Sequence, residues 1–464
     1  MPEKITHPSE NFDGIKKAIV LTHKEKGAVL RLLHLSDIHF RTPFCEDPKQ
    51  DRDGPIRDAL IRDLEAIIQD DNQPISAILI TGDIAFKADT KEFEFAAHWL
   101  DELCNRFSCP PLNVYVVPGN HDVNRATAGK LMIDSVRQGI ISKHGEARES
   151  AFRMALYDSE AGAELIKPMN EYNAFAARYR CDITPKNPFW TDKLPIDEGV
   201  DLIINGLTST FFSGEHDDVG KLFLGGIQTN FRTEDGCIHL SMMHHPCDWF
   251  VNSDDVIDDL NNGAGIQLFG HKHRGRWDPG MGTVRIAADS IHPDRAEGGY
   301  EPGYNILDLH LTHNHTGQPQ VTVSAKIRVL QNAPRIFIGK KNFDQTDVFE
   351  YHIPVNPRAT ALISAQTPPA APEEPFSTQT QAEQENTNEE TLRPSRINSK
   401  EMAFRFWNLK FSQRSHILTD LNLLDEEHIK LPENERYRAA FKKANEMGIV
   451  EKLIEKVTMA EEDK

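Results

Sequence analysis

From Val29 onward, short and mainly apolar runs alternate with longer stretches in which apolar residues return every three or four positions. Residues 29–35 form the first run, and Ile56, Leu60, Leu64, Ile67 and Ile68 follow on one helical face. Residues 77–81 form the second run, followed by Phe93, Ala96, Ala97, Leu100 and Leu103; residues 114–117 form the third. A short apolar run closed by turn residues predicts a buried strand, and a 3.6-residue period predicts an amphipathic helix. Three strands separated by two helices predict an α/β fold built on a parallel sheet.

The rhythm breaks over residues 124–200, which read as a mostly helical insertion, a candidate cap. Short strands then dominate, at 202–205, 238–243, 266–269, 284–287, 304–311 and 321–329. Residues 360–396 are rich in Pro, Gln, Thr and Glu and lack core-forming side chains, so they read as a disordered linker. Residues 397–464 return to helical periodicity through Ile417, Leu418, Leu421 and Leu424, then Tyr437, Phe441, Ala444, Ile449, Leu453 and Val457. The expected organisation is therefore one large domain over 1–359, the linker, and a small helical interaction domain over 397–464.

Composition narrows the function. The 464 residues carry a net charge of -19, which disfavours a cationic coat for non-specific nucleic-acid binding but leaves room for a local basic groove. The six cysteines are scattered without a CxxC pair, which fits a reducing cytoplasm better than a disulfide scaffold. The N-terminal stretch lacks an apolar signal core, and no run approaches the length of a membrane span. A soluble cytoplasmic protein without membrane contact is expected.

Five polar clusters follow the predicted strands: Asp37-Ile38-His39, Gly82-Asp83, Gly119-Asn120-His121-Asp122, His244-His245 and Gly270-His271-Lys272-His273. In parallel sheets, ligands bind at the carboxyl ends of strands. Residues two apart on an extended segment lean to the same side, so Asp37 with His39, and His271 with His273, can each face one centre. Mixed carboxylate, amide and imidazole donors suit Mn, Fe, Zn, Co or Ni, with manganese the first expectation here. Seven donors exceed one tetrahedral shell and suffice for two divalent ions sharing a carboxylate.

The blocks LSDIHF, TGD, PGNHD, HHP and GHKH, in this order, resemble the calcineurin-like metallophosphoesterase family over residues 29–330. The resemblance implies a four-layer αββα sandwich of two mixed sheets flanked by helices, here with a helical insertion and a small C-terminal all-α domain. It implies that Asp37, His39, Asp83 and His273 hold one metal, that Asp83 bridges, and that Asn120, His244 and His271 complete the second. His244 is preferred over His245 because it stands two before Pro246. His121 then contacts phosphate and protonates the leaving oxygen, and Asp122 orients its imidazole.

Arg125 is a candidate for holding a substrate phosphate, with a solvated surface role as the alternative. The expected substrate is a phosphodiester, a nucleotide or a nucleic acid. A nuclease would need a cationic groove, for which the insertion offers Arg125, Arg137, Arg153, Arg178 and Arg180. The 431–457 segment is similar to helical adaptor domains of bacterial effector and defence proteins. It implies a protein partner or self-association through 397–464, and a place in antiviral defence; the alternative is a tail packed on the enzyme core.

Overall fold

The computed structural model describes residues 29–215, 217–292, 301–358 and 399–462. The 360–396 linker lies outside the described residues. The chain begins β1 (Leu30–Leu35), α1 (Gly54–Asp71), β2 (Ala77–Ile80), α2 (Thr90–Phe107) and β3 (Val114–Val116). Pro55 sits in the first turn of α1, where its missing N–H costs nothing. A capping box between Asp89 and Glu92 opens α2. All six residues of β1 are buried, because β1 lies inside the sheet with neighbours on both edges.

Helices α3 (Arg125–Ala128), α4 (Leu131–Ile141), α5 (Gly145–Tyr157), α6 (Ser159–Ile166) and α7 (Asn170–Ala176) form the insertion. The helical content stops at Tyr179. Within the stretch expected to be mostly helical, β4 (Trp190–Asp197) is a strand, pairing antiparallel with β5 (Val200–Gly206). Its inward residues Trp190, Leu194 and Ile196 alternate with polar ones, the pattern of a half-solvated edge strand.

The remaining elements are β6 (Cys237–Met243), α8 (Ser253–Gly263), β7 (Ile266–Phe269), β8 (Arg276–Pro279), β9 (Val284–Ala287), β10 (Gly303–His313), β11 (Pro319–Asn332), β12 (Arg335–Gly339) and β13 (Phe349–Pro354). One sheet runs β12-β11-β10-β1-β2-β3, with β13 also on β11; the other runs β4-β5-β6-β7-β9-β8. Strands β1, β2 and β3 are parallel, as are β5, β6, β7 and β9, while β10 and β4 are antiparallel to their neighbours. Leu33 and Leu79 of one sheet share a core with Ile204, Leu240 and Ile286 of the other. Helices α1 and α2 bury Leu60, Leu64, Phe93 and Leu100 in this core, and α8 packs Val256 and Leu260 near Met243 and Phe269. The result is the helix–sheet–sheet–helix sandwich, with the carboxyl ends of both parallel sets at one place.

Helices α9 (Ser399–Trp407), α10 (Phe411–Asp420), α11 (Glu426–Ile429), α12 (Glu433–Glu446) and α13 (Val450–Glu462) enclose their own core around Phe406, Leu418, Tyr437 and Val457. This unit also packs on the sandwich, as the alternative reading had it. Phe404 meets the Tyr179 ring, Lys400 reaches Asp192, Arg178 reaches Asn408, and Arg438 reaches Asp182. No described helix is long and apolar enough to cross a membrane.

Candidate metal centre

Three of the five strand ends, after β1, β2 and β7, deliver their polar clusters through turns that an ordinary extended backbone cannot make. Asp37, His39, Asp83, His271 and His273 all have positive φ, between 50° and 69°. A non-glycine residue held there costs of order 1–3 kcal/mol, and such positions concentrate at functional sites. The backbones are pinned by Asp37 N to Gly82 O at 3.0 Å and His39 N to Asp83 O at 2.9 Å. Ser290 Oγ donates to Asp37 O at 2.9 Å, and this contact ties the first loop to one 253 residues later. Gly119 lets the third loop close in: a Cβ there would stand 2.1 Å from Asp83 Oδ1.

The side chains converge. Among the described residues, potential ligand atoms within 4.8 Å of one another form four overlapping sets: Asp37-His39-His273, His39-Asp83-His121, Asp37-Asp83-His244 and His244-His245-His271. Asp83 Oδ2 lies 3.7 Å from His39 Nε2 and 3.4 Å from His244 Nε2, between the two halves of the cluster. His273 Nε2 is 3.1 Å from Asp37 Oδ1. Asn120 Oδ1 lies 3.0 Å from His244 Nε2 and 3.2 Å from His271 Nδ1. All seven expected ligands are therefore brought together.

The chemistry of this donor set fits a divalent cation. His244 Nδ1 donates to Thr81 O at 2.8 Å, so the neutral ring turns a lone pair on Nε2 toward Asn120 Oδ1, another acceptor. Acceptors at such spacing repel unless a cation or a proton lies among them. Without a cation a proton serves: burial opposes it, but Asp83 and Asp37 push His244 up to about 9. Burial would raise the Asp37 carboxyl, yet the hydrogen bond from His273 and the charges of His244 and His273 hold it at about 2. Asp83 is likewise held well below the carboxylate range by His244, His121 and His39 against its own burial. Burial lowers His39 and His271 to about 3, leaving neutral imidazoles suited to coordination. His39 Nδ1 is buried without a hydrogen-bond partner.

His121 reaches the cluster with its backbone N–H on Asp83 Oδ1 at 2.8 Å. Its Nδ1 donates to Phe86 O at 2.9 Å, and its ring stacks on Phe86 with centroids 5.2 Å apart. Arg125 comes from the insertion to within 3.2 Å of His121 Nε2. Asp122 departs from expectation. Its carboxylate accepts from the N–H groups of Gly119 at 2.9 Å, Ile84 at 3.2 Å and Ala85 at 2.8 Å. It clamps two strand-end loops together, and the Phe86 carbonyl orients the imidazole, because successive side chains in this tight turn diverge. Burial and Asp83 push Asp122 up to about 7, against those three donors.

His245 is turned toward Ser209 Oγ at 3.0 Å, and Trp249 packs edge-on against His271 at 4.1 Å. Four of the five insertion arginines build no groove. Arg153 pairs with Glu146, Arg178 pairs with Asp101, Arg137 is buried with one N–H on Ser213 O, and Arg180 ends the helical stretch in a left-handed turn. Phe86 and Ser290 carried no sequence signal, since their roles depend on contacts across the fold.

A calcineurin-like phosphoesterase model matches residues 30–275, just over half of the chain, and a GTPase-associated adaptor domain model matches residues 398–459. The uncharacterized metallophosphoesterase-like protein YydB of Bacillus subtilis is 32% identical over 108 residues, 23% of this chain and 20% of that protein. The chain thus matches about a fifth of this relative's length. Among solved structures, a predicted phosphoesterase of Streptococcus pneumoniae is 12% identical over 70% of this chain and 99% of its own, with a TM-score of 0.27. A putative 5'-nucleotidase of Staphylococcus aureus is also 12% identical, over 63% and 53%, with a TM-score of 0.30. The ordered blocks, the sandwich and the family match agree: this chain belongs to the calcineurin-like phosphoesterase family.

Proposed function

We propose that the chain is a two-metal phosphodiesterase acting on small diesters, with Asp37, His39, Asp83 and His273 on one ion and Asp83, Asn120, His244 and His271 on the other. The observation that carries this reading is the position of Asp83 Oδ2 between His39 and His244, as a bridging carboxylate requires. A bound ion pair supplies Lewis-acid charge and a water activated near neutral pH; manganese is our choice among Mn, Fe, Zn, Co and Ni.

The chain's own residues do the rest. His121 keeps its Nδ1 proton on Phe86 O, so proton exchange with a leaving oxygen is confined to Nε2. Arg125 stands beside that nitrogen and can hold a phosphoryl oxygen there. A positioned acid matters most when the leaving group is a poor one, as in an alkyl diester. The scattered insertion arginines favour a small diester over a long nucleic acid. The adaptor-like unit supports recruitment by a protein partner in a cytoplasmic setting; a defence role rests on that resemblance alone.

The test loads the purified protein with manganese and compares bis-p-nitrophenyl phosphate, p-nitrophenyl phosphate, and single- and double-stranded DNA. Diester cleavage without DNA nicking is expected; DNA nicking at a comparable rate would replace this reading with a nuclease. His121→Ala should retain metal and slow alkyl-diester cleavage by about 10²–10⁴-fold, with less effect on a p-nitrophenolate leaving group. Equal rates for wild type and variant on the alkyl diester would remove His121 from the acid role.

A further inference from the structure

Beside the metal centre, between the end of β1 and the first turn of α1, lies a cavity of about 530 Å³. His39 forms part of its wall, so the cavity opens onto one of the candidate ligands. Its charge is unlike that of the chain. Against a net charge of -19, this one wall gathers four cations, Arg41, Lys49, Arg52 and Arg57, and two carboxylates, Asp51 and Asp53. Asp51 is engaged by the buried Arg57 and by the N–H groups of Asp53 and Gly54. Arg41, Lys49 and Arg52 have no carboxylate within ion-pair distance among the described residues. Clustered cations left unpaired at a concave surface concentrate anions there.

Two further observations give the ligand a shape. The Arg41 guanidinium lies 3.6 Å over the Phe86 ring, which also stacks on His121 and meets His39 edge-on. A positive charge is thus placed one aromatic ring away from the proposed acid. His292, also in the lining, is buried, with Nδ1 on Ile38 O and with Nε2 lacking any partner among the described residues. An imidazole whose Nδ1 proton is on a carbonyl offers a lone pair at Nε2, which accepts from a hydroxyl and does not bind an anion.

We propose that this cavity is the subsite for the part of the substrate beyond the scissile phosphorus, and that it takes a sugar phosphate: a second phosphate held by Arg41, Lys49 and Arg52, and a hydroxyl donating to His292 Nε2. This deepens the phosphodiesterase reading and rests on it for the role of subsite. The cavity volume suits such a group, since small-ligand pockets run from roughly 300 to 1,000 Å³.

Two measurements test it. Metal-free full-length protein is titrated calorimetrically with ribose 5-phosphate, ribose and inorganic phosphate. Ribose 5-phosphate should bind tighter than either fragment. Lys49→Ala and Arg52→Ala, both at exposed positions, should each weaken it at least fivefold, while Lys130→Ala on the insertion surface should not. In the manganese-loaded enzyme, the ratio of kcat/KM for a 5'-phosphorylated dinucleotide to that for bis-p-nitrophenyl phosphate should fall at least fivefold in Arg41→Ala, through KM. A 5'-phosphorylated DNA strand included as a third substrate tells whether the sugar phosphate comes from a small nucleotide or a strand end; a fall for either supports the subsite. Unchanged affinity in both alanine variants, or an unchanged ratio in Arg41→Ala, overturns it. Failure of the wild-type enzyme to cleave any diester sinks the phosphodiesterase reading instead, and leaves the calorimetric result to decide whether the cavity binds sugar phosphate.

Discussion

The strand-end cluster and the seat of the C-terminal unit are both made from charged side chains, but they treat charge in opposite ways. At the seat the charges that bridge the two units meet their complements. Lys400 reaches Asp192 at 2.7 Å and lies 4.1 Å over the Tyr115 ring; Arg438 reaches Asp182 at 2.7 Å, and Asn434 reaches the same carboxylate at 3.2 Å. In the cluster, carboxylates, an amide oxygen and imidazole lone pairs face one another, and five backbones are held at positive φ to keep them there. Paired charges fix a geometry and ask for nothing more. Crowded acceptors are stable only because the rest of the fold holds them, and that strain is released by a cation.

This contrast predicts that a cluster residue can be neutralised without harm to the metal-free fold once His244 has lost its proton, above about pH 9. Asp83→Asn keeps the shape and the contact from His121 N. It should abolish binding of at least one metal, measured by elemental analysis, and lower kcat/KM on the order of 10³-fold, the worth of the several kcal/mol a metal supplies. In chelator at about pH 10, above the His244 value of about 9 so that the proton paired with Asp83 is gone, its melting temperature should match or exceed that of the wild type, because one of two neighbouring buried carboxylates, Asp37 and Asp83, has lost its charge. A marked loss of stability in chelator would mean that Asp83 is a structural group and that the two regions do not differ in kind.

The same contrast explains which parts of the molecule were legible in the sequence. The candidate ligands were readable because each sits within four residues of an apolar strand end, where backbone direction is fixed by the strand itself. The role of Asp122 was not. Adjacency to His121 suggested an orienting carboxylate, but side chains one apart in a tight turn point away from each other, and three backbone donors claim Asp122 instead. Strand β4 was hidden because an edge strand solvated on one face carries Asp192, Lys193 and Asp197 among its apolar residues. Strand β12 buries only Phe337. The seat of the C-terminal unit was invisible for a simpler reason: Lys400 and Asp192 are 208 residues apart, and neither has a local pattern that names the other.

Asp122 offers the second test, because it lies inside the ligand motif yet behaves like the paired region. Asp122→Ala leaves three buried N–H groups without acceptors, each worth about 1–3 kcal/mol when unsatisfied. The metal-free variant should therefore lose about 3 kcal/mol or more in denaturant unfolding at about pH 10, where Asp83→Asn loses none. If the two variants rank the other way, the division of the motif into a clamp and a ligand is wrong.

The seat itself should respond most gently. Lys400→Ala removes one partly exposed ion pair, worth about 0.2–1 kcal/mol, and should raise hydrogen exchange in α9 while leaving α1 and α2 unchanged. Acid should act in the same direction. Burial would raise the Asp192 carboxyl, but Lys400 and Tyr115 hold it below the ordinary carboxylate range. A depressed carboxyl contributes to docking above its undocked pKa, near 4, and the contribution is lost as pH falls through the docked value. Wild-type α9 should therefore become more exchangeable below about pH 4, relative to α1 and α2 in the same protein, and Lys400→Ala should flatten that dependence. An unaltered pH profile in the variant would show that the contact of Phe404 with Tyr179, and not the charge pair, holds the unit in place.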